Sequence, residues 1–401
     1  MVVPLDGPIG PASADFVDRA LARAAREKAQ LVVLRIDTPG GLDTSMREII
    51  KQILASPVPV AAWVAPGGAR AASAGTFILY AAHYAAMAPG TNLGAASPVS
   101  MFTAEKGDPK GKGAPVDTMT KKVTHDAAAY IRSLAELRGR NAAWAERAVR
   151  EAVSLPATEA AKLKVVDFVA QDLPDLLRKI DARGKLQTAG APVVEVEVDW
   201  RTQLLAVITN PSIAYLLVLV GAYALLFEFM NPGLVLPGVV GAICLLIAAY
   251  ALHLLPVNYA GLALIVLGIG LMAAEAFLPA YGSLGVGGLT AFVLGSVMLI
   301  DSDLPGFEIP YPLIGGVAAA SAAFLIFVVG MLVRARRRPV VSGREQMIGA
   351  PGEALEDFER EGWARVHGEN WRVRAGAPVR RGDRLRVTSM QGLVLTVEVE
   401  R

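Results

Sequence analysis

The stretch Gly67-Gly68-Ala69-Arg70-Ala71-Ala72-Ser73-Ala74-Gly75-Thr76, running into the apolar Phe77-Ile78-Leu79-Tyr80, decides the reading of this chain. Small residues let a backbone turn tightly and let a second chain approach it closely. The apolar run reads as a buried helix, which puts Ser73 at its N-terminal end. Backbone N–H groups at that end have no helical acceptor, and the positive end of the helix dipole lies beside them. Such groups stabilise the oxyanion formed when a hydroxyl attacks a carbonyl. A serine at a helix start is more often only a cap, satisfying those N–H groups with its own hydroxyl. Both readings stand on this segment alone.

Upstream, Leu31-Val32-Val33-Leu34-Arg35-Ile36 is a β-branched run of the kind found in buried parallel strands, and it ends in Asp37-Thr38-Pro39-Gly40-Gly41. Open α/β folds bind ligands in the crevice at the carboxyl ends of such strands. Glycines placed there free backbone N–H groups to face the crevice. Gly40, Gly41 and Ala74 are therefore candidate oxyanion donors.

A nucleophilic serine needs a base. The chain has four histidines. His253 lies in an apolar segment and His367 in a distant C-terminal stretch, so neither is favoured. His83 follows Ser73 by ten residues on what reads as the same helix, which is roughly 15 Å at 1.5 Å per residue. His125 reads as lying on a helix face. Lys121-Lys122 precede Val123 to Ala135, a strong helical pattern. A lysine acts as a base only when its amine, ordinarily of pKa about 10.4, is uncharged. Most lysines are solvated surface charges.

Residues 1–185 resemble the ClpP-like serine protease domain of the membrane-bound NfeD proteins, within the wider ClpP/crotonase fold group. The likeness is carried by Asp37-Thr38-Pro39-Gly40-Gly41, Ala72-Ser73-Ala74-Gly75-Thr76 and Ala88-Pro89-Gly90-Thr91-Asn92-Leu93-Gly94-Ala95-Ala96. Tyr130-Ile131-Arg132-Ser133-Leu134-Ala135-Glu136 and Gly139-Arg140-Asn141 add to it. The resemblance implies that Ser73 is the nucleophile and that Lys122, eight residues before Tyr130, is the general base, with Lys121 as the neighbouring alternative. Soluble ClpP peptidases use Ser-His-Asp, with the histidine a few tens of residues after the serine; the stretch around Pro98 holds none. The implied activity is that of a membrane-bound serine endopeptidase without cofactor or metal. Its implied substrate is a hydrophobic segment of a membrane-associated protein, such as a stomatin-like partner, and a homo-oligomer is the expected assembly. Two other classes stay open: a crotonase-type acyl-CoA enzyme, and a catalytically silent membrane scaffold.

At 53% hydrophobic residues and a mean hydropathy of +0.43, the 401 residues are too apolar for an ordinary soluble protein. The formal net charge of +2 points to no particular partner. Cys244 is the single cysteine, so no internal disulfide forms, and no Cys/His set fits a metal site. No lysine or arginine occurs between Arg201 and Arg334. Five spans are expected there, at about 212–229, 234–255, 258–278, 284–300 and 312–333. The fourth is rich in glycine (Gly282, Gly285, Gly287, Gly288, Gly295) and reads either as a span or as a re-entrant segment. Glu228-x-x-x-Pro232 with Gly238 and Gly241 recurs as Glu275-x-x-x-Pro279 with Gly285 and Gly288, an offset of 47 residues that suggests duplicated helix-break-helix units. Interfacial packing is the expected role of Glu228 and Glu275, which fall near span ends.

Arg334 to Arg338 form a basic cluster expected on the cytoplasmic side, so five crossings place the protease domain outside the cytoplasm. Met1 to Gly7 already reads as the first strand; because the resembling proteins usually carry a signal segment before it, the resemblance implies either a truncated chain or a misplaced start. The loop Met101 to Val116 reads equally as a cover over the site or as a disordered surface loop. The domains are then a ClpP-like α/β domain at 1–190, the transmembrane region at 205–333, a basic linker at 334–346 and a small all-β, OB-like barrel at 347–401. From Arg344 to Arg401 there are ten Lys/Arg and ten Asp/Glu. That balance argues against nucleic acid and for protein contacts, with Phe358, Trp363 and Trp371 read as core.

Overall fold

The computed structural model describes residues 1–98, 116–184, 186–278, 282–300, 307–336 and 343–400. All but the last residue of the loop Met101 to Val116 lies outside them. The chain divides into two units, 1–325 and 326–401.

The N-terminal part opens with β1 (Val2–Asp6), α1 (Pro11–Arg26), β2 (Val32–Asp37), α2 (Asp43–Ala55) and β3 (Val60–Val64). There follow β4 (Arg70–Ala72), α3 (Ala74–Ala81), β5 (Tyr84–Met87) and β6 (Asn92–Gly94). It continues through α4 (Val116–Arg138), α5 (Ala142–Arg150), β7 (Ser154–Pro156), α6 (Ala157–Lys162), β8 (Phe168–Val169) and α7 (Leu173–Asp181). Five strands form one sheet in the order β1-β2-β3-β5-β8, parallel throughout. Parallel neighbours require crossovers, and α1 and α2 supply the first two. β3 is buried along its whole length, as are all eight residues of α3. β4 leaves this sheet and pairs with β6 and, through it, β7, so the chain reaches Ser73 along a separate short ribbon.

Two helix boundaries differ from expectation. α3 stops at Ala81, so His83 is not on the helix that Ser73 opens. The buried Arg140 guanidinium donates to the carbonyls of Tyr80 (2.9 Å) and Ala82 (3.0 Å) and to Asp167 (2.7 Å), while Arg138 donates to Ala81 (2.8 Å). Cations at a helix C-terminus offset its unpaired carbonyls. α4 starts at Val116, so Lys121 and Lys122 lie inside it rather than before it.

The apolar region contains α8 (Trp200–Ile208), α9 (Pro211–Met230), α10 (Leu236–Leu254), α11 (Tyr259–Phe277), α12 (Ser283–Met298) and α13 (Tyr311–Arg336). Among the described residues α9 and α10 are long and apolar enough to cross a bilayer, and α11 to α13 have shorter apolar windows. The 47-residue echo is structural. α9 pairs with α10 and α11 with α12, each at glycine-to-backbone contact: a Cβ on Gly241 would lie 3.0 Å from the Gly221 carbonyl, and one on Gly288 2.8 Å from that of Gly268. α9 and α11 are both capped by asparagine, Asn210 and Asn258.

Glu228 and Glu275 do more than pack at an interface. Glu228 accepts N–H bonds from Val235 (3.0 Å) and Gly238 (3.4 Å). Glu275 accepts them from Gly282 (2.8 Å) and Gly285 (3.1 Å). Each carboxylate thus satisfies the N-terminal turn of the next helix, where orphan donors in an apolar setting are costly. α12 returns along α11 as far as Gly261, and Ile300 bridges Val257, so it runs back over the length of its partner instead of dipping and reversing.

The second unit holds α14 (Arg344–Met347), β9 (Pro351–Ala354), β10 (Glu361–Val366), β11 (Glu369–Ala375), β12 (Arg384–Gln391) and β13 (Val394–Val399). The strands close into a barrel in the order β10-β11-β13-β12-β9. α14 occupies the end of the expected linker, and 337–342 of the basic stretch fall outside the described residues. Alternation along β10 buries Gly362, Ala364 and Val366 and turns Trp363 outward at 48% exposure, so Trp363 is not core. Phe358 is buried and Trp371 packs partly against the core.

Candidate active site

Two short contacts bring the Gly40-Gly41 turn to Ser73. Thr38, just past β2, bridges Ala71 in β4, with Thr38 N–H donating to Arg70 (2.8 Å) and Ala72 N–H to Thr38 (3.1 Å). Ile9 holds the turn from the other side, donating to Gly40 (2.8 Å) and accepting from Leu42 (2.9 Å). Gly40 and Gly41 have φ of +118° and +156°. A Cβ on Gly40 would stand 2.6 Å from Ser73 Cβ and 3.1 Å from its Oγ, and one on Gly41 would overlap Ile9. Only glycine allows this approach.

Ser73 has φ +51° and ψ −116°, a conformation costing a non-glycine residue of order 1–3 kcal/mol. It sits between strand β4 and helix α3, in a strained strand-to-helix turn. The strain is held by the backbone: Ser73 N–H donates to Gly94 (2.9 Å) and Thr76 N–H to Ser73 (2.9 Å). The buried Thr76 hydroxyl donates to Ala71 (2.8 Å) and accepts from Gly94 N–H (3.0 Å). The Ser73 hydroxyl makes no capping bond, so the plain cap reading fails.

The three expected oxyanion donors are not equivalent. Gly40 N–H is taken by Thr38 Oγ1 at 3.1 Å. Those of Gly41 and Ala74 have no partner among the described residues. Gly41, Ser73 and Ala74 all line one cavity of about 930 Å³.

Lys122 lines the same cavity. It is exposed, and among the described residues it makes no hydrogen bond to Ser73. Catalytic contacts are often long in an unliganded site and tighten with substrate. Its helix is pinned one turn further on. Arg47 of α2 reaches Asp126 (2.6 Å), four residues after Lys122, and lies 4.5 Å over the Tyr130 ring.

The histidines are otherwise engaged. His83 Nδ1 accepts the Val60 N–H at 3.2 Å, and burial, with Arg138 and Arg140 nearby, pushes its pKa down to about 4. His125 stands 3.1 Å from Arg150 and does not line the cavity. His367 is in the barrel unit, in the turn between β10 and β11. His253, set aside on sequence as part of an apolar run, does line the cavity, from the last turn of α10. Its place at the end of a span, where polar tips meet water, was the available signal. No group of metal-ligating side chains occurs among the described residues.

Residues 1–186 match the N-terminal domain of NfeD1b, 212–331 the NfeD integral membrane domain and 344–398 the NfeD-like C-terminal, partner-binding domain. Across its full length the chain is 34% identical to membrane-bound protease PH1510 of Pyrococcus horikoshii, covering 93% of that protein. The chain belongs to the NfeD family. This NfeD chain is also 29% identical to membrane protein NfeD1b of Bacillus subtilis over 73% of its own length and 65% of that protein's. The solved structures that this chain resembles include two at low TM-score. One is a stomatin-specific protease domain, 1510-N, as a lysine-to-alanine mutant with a substrate peptide. It is 32% identical over 51% of this chain and 94% of that one, with a TM-score of 0.43. The other is the C-terminal domain of stomatin operon partner protein 1510-C from Pyrococcus horikoshii. It is 39% identical over 15% of this chain and 97% of that one, with a TM-score of 0.15. The NfeD chain is a membrane protein with an N-terminal serine protease domain, a helical membrane domain and a C-terminal barrel.

His83 gives the protease domain a pH signature. Its folded pKa lies below the ordinary value of about 6.5, so the fold favours the neutral ring. The stabilisation is complete above pH 6.5 and is lost as pH falls towards 4. It amounts to about 1–2 kcal/mol once solvent screening of the half-buried ring is allowed for. Thermal unfolding of the detergent-solubilised chain at pH 7 and pH 4.5 should show a larger acid loss for the wild type than for His83→Gln. Equal losses would remove His83 from the account.

Proposed function

We propose that Ser73 and Lys122 act as a catalytic dyad, with the Gly41 and Ala74 N–H groups as the oxyanion hole and Gly40 giving the clearance. The uncharged Lys122 amine takes the Ser73 proton as Oγ attacks the scissile carbonyl. The tetrahedral oxyanion rests on the two N–H groups. Its collapse expels the peptide amine, which receives the proton from Lys122, and leaves an acyl ester on Ser73. Lys122 then deprotonates a water that attacks the ester, releasing the acid and restoring Ser73. The observation that carries this reading is the strained, uncapped Ser73 beside two unpartnered N–H groups in one cavity with Lys122. The likeness to a stomatin-specific protease supports a stomatin-like membrane-associated protein as substrate; that it is cut in a hydrophobic segment is part of the proposal. The C-terminal barrel is then the partner-binding module.

Ser73→Ala should abolish both peptide hydrolysis and labelling by a fluorophosphonate probe, and Lys122→Ala should lower hydrolysis by about 10³-fold or more in a folded protein. Hydrolysis surviving Ser73→Ala would end the mechanism, and loss in Lys121→Ala with activity retained in Lys122→Ala would move the base by one residue.

For sidedness, the five apolar helices α9 to α13 and the basic stretch from Arg334 support an extracytoplasmic protease domain and a cytoplasmic barrel. Single cysteines replacing Arg183 and Glu353 in a Cys244→Ser background test this with an impermeant maleimide on intact cells. Arg183→Cys alone should label; labelling of both, or of Glu353→Cys alone, would contradict the arrangement.

A further inference from the structure

The cavity before Ser73 is not enclosed by the protease domain alone. The last turn of α10 supplies Tyr250, His253 and Leu254, and α8 supplies Leu205. Tyr250 and His253, three residues apart, share a helix face and are both exposed. This wall is built against the site rather than resting near it. Leu42, the residue after Gly41, is 3% exposed and buried in one apolar cluster with Leu252, Leu255 and Phe307 of the membrane domain. A Cβ on Gly10, beside the Ile9 that holds the glycine turn, would meet Phe307 at 2.8 Å. On the flank, Arg19 of α1 donates to Asp199 (2.7 Å) and to Thr202 of α8 (2.6 Å).

We infer that the last turn of α10 is a specificity wall of the protease, with Tyr250, His253 and Leu254 binding the apolar segment of the peptide that Ser73 cuts. The proposal rests on Ser73 as nucleophile and adds the membrane domain to the substrate site. At about 930 Å³ the cavity is at the upper end of ligand-pocket sizes, room for several peptide residues rather than one side chain. Its wall stands at the end of a span and mixes apolar bodies with polar tips, the surface met by a segment passing from lipid to water. A substrate held there has its apolar side chains on α10 and its scissile carbonyl towards the Gly41 turn.

The test uses the full chain in lipid nanodiscs with two substrates, an apolar ten-residue fluorogenic peptide and a short acyl ester that reaches only Ser73. Tyr250→Ala and His253→Ala should each lower kcat/KM for the peptide about tenfold or more, through KM, and leave kcat and ester hydrolysis unchanged. Independently, benzoylphenylalanine in place of Tyr250, in a Ser73→Ala background, should photo-crosslink the peptide, and the same group in place of Tyr259, which does not line the cavity, should not. Unchanged peptide kinetics in both variants, or crosslinking at Tyr250 to lipid only, would overturn the wall. Fluorophosphonate labelling of the wild type separates the two failures: if Ser73 does not label, the nucleophile assignment is wrong, and the crosslink alone then decides the wall.

Discussion

Ser73 keeps a left-handed φ because three neighbours leave it no alternative. The Gly94 carbonyl fixes its N–H, Thr76 ties β4 and β6 together beneath it, and the Gly40 backbone closes on its side chain. The cost, of order 1–3 kcal/mol, is borne by a parallel sheet and a fully buried α3. The hydroxyl makes no capping bond to the helix it opens, and the Ala74 N–H has no partner among the described residues. Arg140 secures the far end of α3 by occupying its last carbonyls, so the helix is held at both ends.

The membrane domain solves a related problem in an apolar setting. Each of its two hairpins must satisfy a helix N-terminus where no solvent shell is at hand. Glu228 and Glu275 do so in the same way, and glycine pairs let the partner helices close to backbone contact. The two hairpins repeat in chemistry as well as in spacing. The first hairpin brings the end of α10 to the cavity that Gly41 also lines.

Much of the site was legible because its signals are local. A β-branched strand ending in Pro39-Gly40-Gly41 and a run of small residues around Ser73 each state their backbone geometry in a few residues. The five apolar helices were legible for the same reason, each falling within a few residues of its expected bounds. What escaped was set by distant parts of the chain. α3 ends at Ala81 because Arg138 and Arg140, nearly sixty residues on, claim its carbonyls and the Val60 N–H claims His83. No local pattern around Phe77 to His83 announces that. The commitment of Gly40 N–H to Thr38, the capping role of the two glutamates and the exposure of Trp363 likewise depend on what folds against them. His253 was passed over because an apolar run hides its terminal residue, and only the docking of α10 on the protease domain reveals what that residue faces.

The central claim is that Ser73 forms a covalent acyl-enzyme, and intact mass spectrometry tests it most directly. The full chain would be mixed with an activated ester of an apolar peptide, quenched in acid within seconds and digested. The account predicts one acyl adduct, on the fragment containing Ser73, absent from Ser73→Ala and accumulating in Lys122→Ala, where hydrolysis of the ester is slowed. Turnover of the ester with no adduct on that fragment, or an adduct on another residue, would contradict it.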